Sequence, residues 1–283
     1  MFMVGLGVLL AAVLAAANRK LHVHEDPRID DVEDMLPHAN CGACGYPGCR
    51  PFAEATVSGD ASPSKCTVNS PEMTQVIADF LGVAVGAEEK IVARLACAGG
   101  THVAKMRAEY AGLGTCRAAA VVGGGGKACA WGCLGLGDCE VVCDFDAIRM
   151  NAVGLPEVID DKCVACNDCV EICPRDLFSL EPVSHRLWVA CKSLAEGDQA
   201  LEDCEVACNA CGRCASDAPT GLIQIVNNLA VVDYKKNNVA SRLPIERCPT
   251  GAIVWLEGDH AVKGAAAKKI IRKEPLPIEV DGV

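Results

Sequence analysis

The chain has 283 residues, 20 cysteines, only 4% aromatic residues and a formal net charge of −11. That length suggests roughly two domains, but so few rings cannot fill one large core, so several small modules folded around bound metal are expected. The acidity disfavours a nucleic-acid partner and suits a soluble redox surface.

Met1 to Ala17 carry no polar side chain, and Asn18, Arg19 and Lys20 follow. An apolar run of this length stands at the short end of a membrane span, which needs ~20 residues. A signal peptide wants basic residues before its apolar core; here they come after it. By the positive-inside rule, Arg19 and Lys20 hold the following chain in the cytoplasm. Residues 1–20 are therefore predicted to be a single-pass anchor of the cytoplasmic membrane.

Asp26-Pro27 opens a short helix, with Asp26 as cap and Pro27 in its first position. Ile29, Val32, Met35 and Leu36 form its apolar stripe, and Asp30, Asp31, Glu33 and Asp34 read as a solvated face. Next come Cys41, Cys44, Cys49 and, after a longer gap, Cys66. The glycines between the first three let the backbone wrap closely around a metal centre. A four-cysteine structural zinc site is the rival reading. Ser70-Pro71 starts a second helix, in which Met73, Val76, Ile77, Phe80 and Leu81 predict a packing face and Gly82 the end. Ile91, Ala93 and Leu95 alternate as in a strand leading to Cys97. Gly123 to Gly126 lack G-x-G-x-x-G spacing and the long apolar helix that a phosphate loop requires, and read as a flexible turn. No nucleotide site is visible, and the six histidines are dispersed.

Cys163-Val164-Ala165-Cys166-Asn167-Asp168-Cys169-Val170-Glu171-Ile172-Cys173-Pro174 reads C-x2-C-x2-C-x3-C-P, the bacterial ferredoxin run. Three thiolates on one tight loop face one 4Fe–4S cube, and the fourth, Cys173, serves the other cluster of a two-cluster fold. Zinc sites instead pair two C-x2-C hooks across a longer loop. A disulfide scaffold is a further rival, disfavoured by the tight grouping.

At the same offsets before Cys143 stand Cys133, Leu136 and Cys139, so one ligand is missing. Cys129, one helical turn before Cys133, is the expected replacement. The first pair of clusters then uses Cys163, Cys166, Cys169 and Cys143, and Cys133, Cys139, Cys173 and Cys129. Downstream, Cys208, Cys211 and Cys214 repeat the spacing, but the fourth position is Ala218. Counting back from Cys248-Pro249 gives Asn238, Ser241 and Pro244. Under the swap rule these four missing ligands would have built one cluster, while Cys208, Cys211, Cys214 and Cys248 build the other. Cys97, Cys116, Cys191 and Cys204 remain; they are either a fifth cluster or buried free thiols.

The expected fold class is α+β. It comprises the anchor (1–20), a small 4Fe–4S module (21–82), a connecting segment (83–128), a two-cluster ferredoxin domain (129–190), a ferredoxin-like domain with one cluster lost (191–257) and a tail (258–283).

The apolar anchor, Asp26-Pro27-Arg28, Asn40-Cys41-Gly42-Ala43-Cys44-Gly45-Tyr46-Pro47-Gly48-Cys49, Gly132-Cys133-Leu134-Gly135-Leu136-Gly137-Asp138-Cys139 and the ferredoxin run together resemble the B subunit of the Rnf complex, from Val4 to about Val254. The resemblance implies a cytoplasmic polyferredoxin anchored beside the other Rnf components (A, C, D, E and G). It also implies soluble reduced ferredoxin as electron donor, in a complex that reduces NAD and moves Na⁺ or H⁺. The half-erased last pair departs from the pattern and leaves the cluster count open, with five expected. A polyferredoxin of another membrane redox complex and a zinc-binding structural or regulatory protein are the alternatives. No catalytic acid, base or nucleophile constellation is evident. Electrons are expected to enter among residues 129–248 and leave through Cys41, Cys44, Cys49 and Cys66.

Overall fold

The computed structural model describes residues 2–21, 26–86 and 88–278. Met1 of the expected anchor and residues 279–283 of the expected tail lie outside these. The chain forms two compact units, Met1–Ala87 and Glu88–Val283.

In the first unit, helix α1 (Phe2–Leu21) is long and apolar enough to cross a membrane. Helices α2 (Arg28–Asp34), α3 (Cys49–Ser58) and α4 (Pro71–Leu81) share a core of Val32, Leu36, Phe52, Ala53 and Ile77. The Asp26 carboxylate accepts the Arg28 N–H at 3.0 Å, at the start of α2. The acidic face of α2 is more than a solvated surface. Arg50 of α3 donates to Asp30 at 2.9 Å and Glu33 at 2.8 Å, tying the two helices together. In α4, Ser70 Oγ accepts the Met73 N–H at 3.2 Å, and Gly82 ends the helix with φ of 69°. The expected packing face is only partly used. Ile77 is buried with Thr74 and Ala78, whereas Met73, Val76 and Phe80 are exposed. Of α4, Ile77 joins the core built by α2 and α3.

The second unit contains the same order of elements twice. The first copy runs β1 (Ile91–Leu95), α5 (Cys116–Val121), α6 (Asp138–Val141), β2 (Ile148–Met150), β3 (Pro156–Val158), α7 (Asp168–Ile172) and β4 (Phe178–Pro182). The second runs β5 (Leu187–Val189), α8 (Gly197–Asp203), α9 (Arg213–Asp217), β6 (Ile223–Val226), β7 (Leu229–Val232), α10 (Leu243–Glu246) and β8 (Ile253–Glu257). In each copy the first and last strands pair antiparallel, β1 with β4 and β5 with β8, and the middle two form a hairpin. A last strand, β9 (His260–Val262), extends the β5–β8 sheet.

This pairing shifts two expected boundaries. The strand at 91–95 falls within the expected connecting segment 83–128, yet it registers Leu95 against Phe178 and Ile91 against Pro182. Val92, Ala93 and Arg94 are all buried, and β4 supplies the sheet partner their backbone needs. Likewise β5 precedes residue 191 but pairs with β8. Arg94 of β1 donates to both oxygens of Asp160 at 2.8 Å in a buried pair. Removing one partner of such a pair costs about 3–5 kcal/mol, because the other charge is left buried alone.

Each copy carries an insertion after its first strand, 96–137 in the first and 190–212 in the second. The two insertions build one core, including Val103, Ala104, Ala200, Cys204 and Val206. Backbone hydrogen bonds Ala98 N–H to Ala190, Lys105 N–H to Asp203 and Glu205 N–H to Val103 lace them together. The tail is a strap across this junction. Lys268 and Arg272 each reach Glu205 at 2.6 Å, and the Leu276 N–H reaches Thr101 at 2.9 Å.

Candidate metal centres

All 20 cysteines are free thiols, and they gather in five foursomes, each lining a cavity. Site 1 is Cys41, Cys44, Cys49 and Cys66. Site 2 is Cys143, Cys163, Cys166 and Cys169. Site 3 is Cys116, Cys133, Cys139 and Cys173. Site 4 is Cys97, Cys129, Cys191 and Cys204. Site 5 is Cys208, Cys211, Cys214 and Cys248.

In site 1, Cys49 begins α3 and its N–H donates to Asn40 Oδ1 at 2.8 Å. The positive end of the helix favours a thiolate there. Gly42 and Gly45 take φ of 72° and 85°, the left-handed conformation that only glycine adopts without cost.

Sites 2, 3 and 5 share one backbone device. The second and fourth residues after the first cysteine of each loop have positive φ. They are Ala165 (59°) and Asn167 (79°), Ala210 (56°) and Gly212 (72°), and Gly135 (75°) and Gly137 (81°). The loop 133–139 thus keeps the backbone pattern of the other two although Leu136 stands where Cys166 and Cys211 stand in them.

At that position the structure brings Cys116, not the expected Cys129, beside Cys133, Cys139 and Cys173. The stretch 129–133 is a turn, not a helix, so the one-helical-turn spacing does not bring Cys129 to the Cys133 side. Cys129 lines site 4 with Cys97, Cys191 and Cys204 instead. The leftover foursome therefore contains Cys129 in place of Cys116. Two contacts deliver Cys116. Thr115 Oγ1 caps α5 by accepting the Ala118 N–H at 3.2 Å. The buried Asp138 carboxylate accepts the Cys116 and Arg117 N–H groups at 2.9 and 3.2 Å. Without Asp138 these amides would lose their partner, at about 1–3 kcal/mol each if left unsatisfied. Neither contact follows from cysteine spacing.

The erased half of the second copy is packed shut. Ala218 and Ala240 lie against the buried Ile245, Pro244 is buried, and Asn238 and Ser241 are exposed.

Among the described residues, no three His, Cys, Asp or Glu side chains are close enough to share a single metal ion. The foursomes stand around cavities rather than points, which suits a cube better than one zinc. Amide N–H groups point at the sulfurs, as iron–sulfur ligands require. Ala93 donates to Cys163 and Ala147 to Cys143, each at 3.4 Å, and Leu177 to Cys173 at 3.5 Å. The Arg175 Nε, beside site 3, is buried without a protein partner. Burial, reinforced by neighbouring thiols, pushes Cys133, Cys139 and Cys169 up to about 12. Metal must therefore displace protons on loading, which higher pH favours. In the unloaded fold these thiols hold protons that the unfolded chain releases above its ordinary thiol pKa of 9.0. The unloaded fold thus loses stability as pH rises from about 9 to 12.

The cysteine foursomes and the amides aimed at their sulfurs fit an iron–sulfur protein. A family described as "Putative Fe-S cluster" matches residues 36–68, which hold site 1. The chain is 38% identical to the B subunit of the Na⁺-translocating ferredoxin:NAD⁺ oxidoreductase complex of Acetobacterium woodii, over 87% of this chain and 74% of the relative. It is 37% identical to the B subunit of the proton-translocating ferredoxin:NAD⁺ oxidoreductase complex of Clostridium ljungdahlii, over 88% of each chain. It is 34% identical to the B subunit of the ion-translocating oxidoreductase complex of Methanosarcina acetivorans, over 88% of this chain and 94% of the relative. The chain belongs to this family, the B subunits of Rnf-type ion-translocating oxidoreductase complexes.

Proposed function

We propose that the chain is the iron–sulfur electron-transfer subunit of a membrane-bound ferredoxin:NAD⁺ oxidoreductase that translocates Na⁺ or H⁺. Its five sites each hold a 4Fe–4S cluster. When bound, such clusters supply one-electron transfer at potentials from roughly −700 to +450 mV.

The observation that carries this reading is that four sites stand in one continuous row. Cys139 and Cys143 lie on one short segment and line sites 3 and 2, and Cys173 and Cys169 do the same. The Cys133 N–H of site 3 donates to Cys97 Sγ of site 4 at 3.5 Å. The Cys208 N–H of site 5 donates to Cys191 Sγ of site 4 at 3.3 Å. The order is thus 2–3–4–5, with backbone joining each neighbour to the next. Cys211, at the site 5 end, is the exposed cysteine; a soluble carrier such as reduced ferredoxin docks there.

Site 1 follows the anchor by about twenty residues of chain, which span at most ~3.5 Å each, so it stays near the membrane. Arg19 and Lys20 favour the cytoplasmic side for the soluble part. Electrons leave through site 1 toward the other subunits of the complex. The protein supplies ligands, spacing and burial, while nucleotide chemistry belongs to a partner subunit.

The test is anaerobic mixing of the full-length chain in detergent with excess reduced ferredoxin, followed in the visible range. A broad absorbance that bleaches on mixing is expected. A colourless protein carrying zinc, or a brown one that reduced ferredoxin leaves unbleached, would overturn the reading.

A further inference from the structure

Positive charge is not spread evenly along the row. The cavities of sites 1, 2 and 5 are lined by no lysine or arginine among the described residues, whereas Lys127 and Lys192 line site 4 and Arg175 lines site 3. In a chain of net charge −11, three cations at one junction is a concentration that needs a reason.

Each of the three crosses that junction. Lys127 Nζ donates to Gly99 O on the site 4 side and to Cys133 O of site 3, both at 2.6 Å. Arg175, two residues after Cys173, donates to the carbonyl of Ala130, next to Cys129. Lys192, next to Cys191, donates to the carbonyl of Asp176. Site 3 is also lined by the Asp138 carboxylate, which accepts two backbone N–H groups and counters Arg175, so Lys127 at the Cys133 carbonyl tips the balance there. Site 4 has two lysines and, among the described residues, no carboxylate in its lining.

Lys127 is aimed by the four-glycine run. Gly123, Gly124, Gly125 and Gly126 all have positive φ, from 56° to 76°. This is a left-handed turn that other residues sustain only at roughly 1–2 kcal/mol each. A Cβ on Gly126 would also collide with the Ala108 carbonyl. The turn ends directly at Lys127.

We propose that Lys127, Lys192 and Arg175 form a cationic seam that makes sites 3 and 4 the high-potential pair in the middle of the row. This rests on the reading of the sites as 4Fe–4S centres. Reduction adds one negative charge to a centre, and fixed positive charge beside it favours that state, net charge being one of the controls on cluster potential. The seam thus draws electrons from either end into the middle and holds them there until an acceptor is ready. Lys127 is the pivotal member because its one ammonium touches the backbone of both sites.

The experiment is an EPR-monitored redox titration of the full-length chain with iron quantitation, comparing wild type, Lys127→Gln and Lys127→Arg. The signals of sites 3 and 4 are assigned by their loss in Cys116→Ser and Cys191→Ser. Glutamine keeps an N–H donor for the two carbonyls but removes the charge; arginine keeps the charge. The expected result is full iron in all three proteins and, in wild type, sites 3 and 4 titrating above sites 2 and 5. In Lys127→Gln, sites 3 and 4 should move to lower potential by about a tenfold change in the oxidised-to-reduced ratio, which is 59 mV for a one-electron couple. Lys127→Arg should stay near wild type. Unmoved potentials in Lys127→Gln, or loss of iron from Lys127→Gln, would overturn the seam and leave Lys127 a mere tie between loops. Wild-type potentials with sites 3 and 4 lowest would overturn it too. A wild-type chain without iron would instead remove the cluster reading beneath it.

Discussion

Replacing Cys191 with serine should cut the row in two. Cys191 Sγ is the most heavily engaged sulfur of site 4, accepting the Ser193 N–H at 3.4 Å and the Cys208 N–H at 3.3 Å. Its burial pushes the thiol up to about 12. A serine hydroxyl is a poor substitute for a thiolate that bridges to site 5. The variant should lose about four irons, one cube's worth. Reduced ferredoxin should still bleach site 5, while sites 2 and 3 stay oxidised on the timescale of turnover. Rapid-mixing absorbance with freeze-quench EPR would read this. Reduction of site 3 at the wild-type rate in the absence of site 4 would mean that electrons take another path.

Cys116→Ser and Cys129→Ser should each remove a different centre. Cys116 lines site 3 with Cys133, Cys139 and Cys173, and Cys129 lines site 4 with Cys97, Cys191 and Cys204. Iron in Cys116→Ser should therefore fall by about four atoms, one 4Fe–4S centre. Adding Cys173→Ser should take no more, because both act on one centre. Adding Cys129→Ser should remove about four further atoms, since sites that share no ligand lose metal independently. If instead Cys129→Ser and Cys173→Ser proved non-additive, Cys129 would be the ligand of site 3, as its closeness in sequence suggests.

What could be read from the chain alone depended on how local each site is. Site 2 and site 5 announce themselves because three ligands lie on one loop, where spacing sets geometry. Site 1 does so because its first three ligands are separated largely by glycines. Sites 3 and 4 depend on insertions after β1 and β5, whose packing is a tertiary matter. Counting cysteines grouped Cys129 with Cys133, Cys139 and Cys173, where the structure places Cys116. The deciding groups, Thr115 and Asp138, act through a helix cap and a buried carboxylate that cysteine spacing does not encode. The strand at 91–95 was legible but not its inward face, since Ile91 is exposed and Val92 and Arg94 are buried, and its partner, β4, was not legible. Pairing across more than eighty residues leaves no local mark. The stripe on α4 misled for a simpler reason. A small module has too little mass to cover a whole helix face, so Met73, Val76 and Phe80 remain exposed.

In the proposed reading, five cysteine foursomes each hold one 4Fe–4S cube, four of them in a single row. Quantifying iron, acid-labile sulfide and zinc in anaerobically purified, reconstituted full-length protein tests it most directly. The expected result is about twenty iron and about twenty sulfide per chain, five cubes of four, with little zinc. A fully loaded sample that stops at about sixteen iron, or one that carries zinc in place of iron, would contradict it.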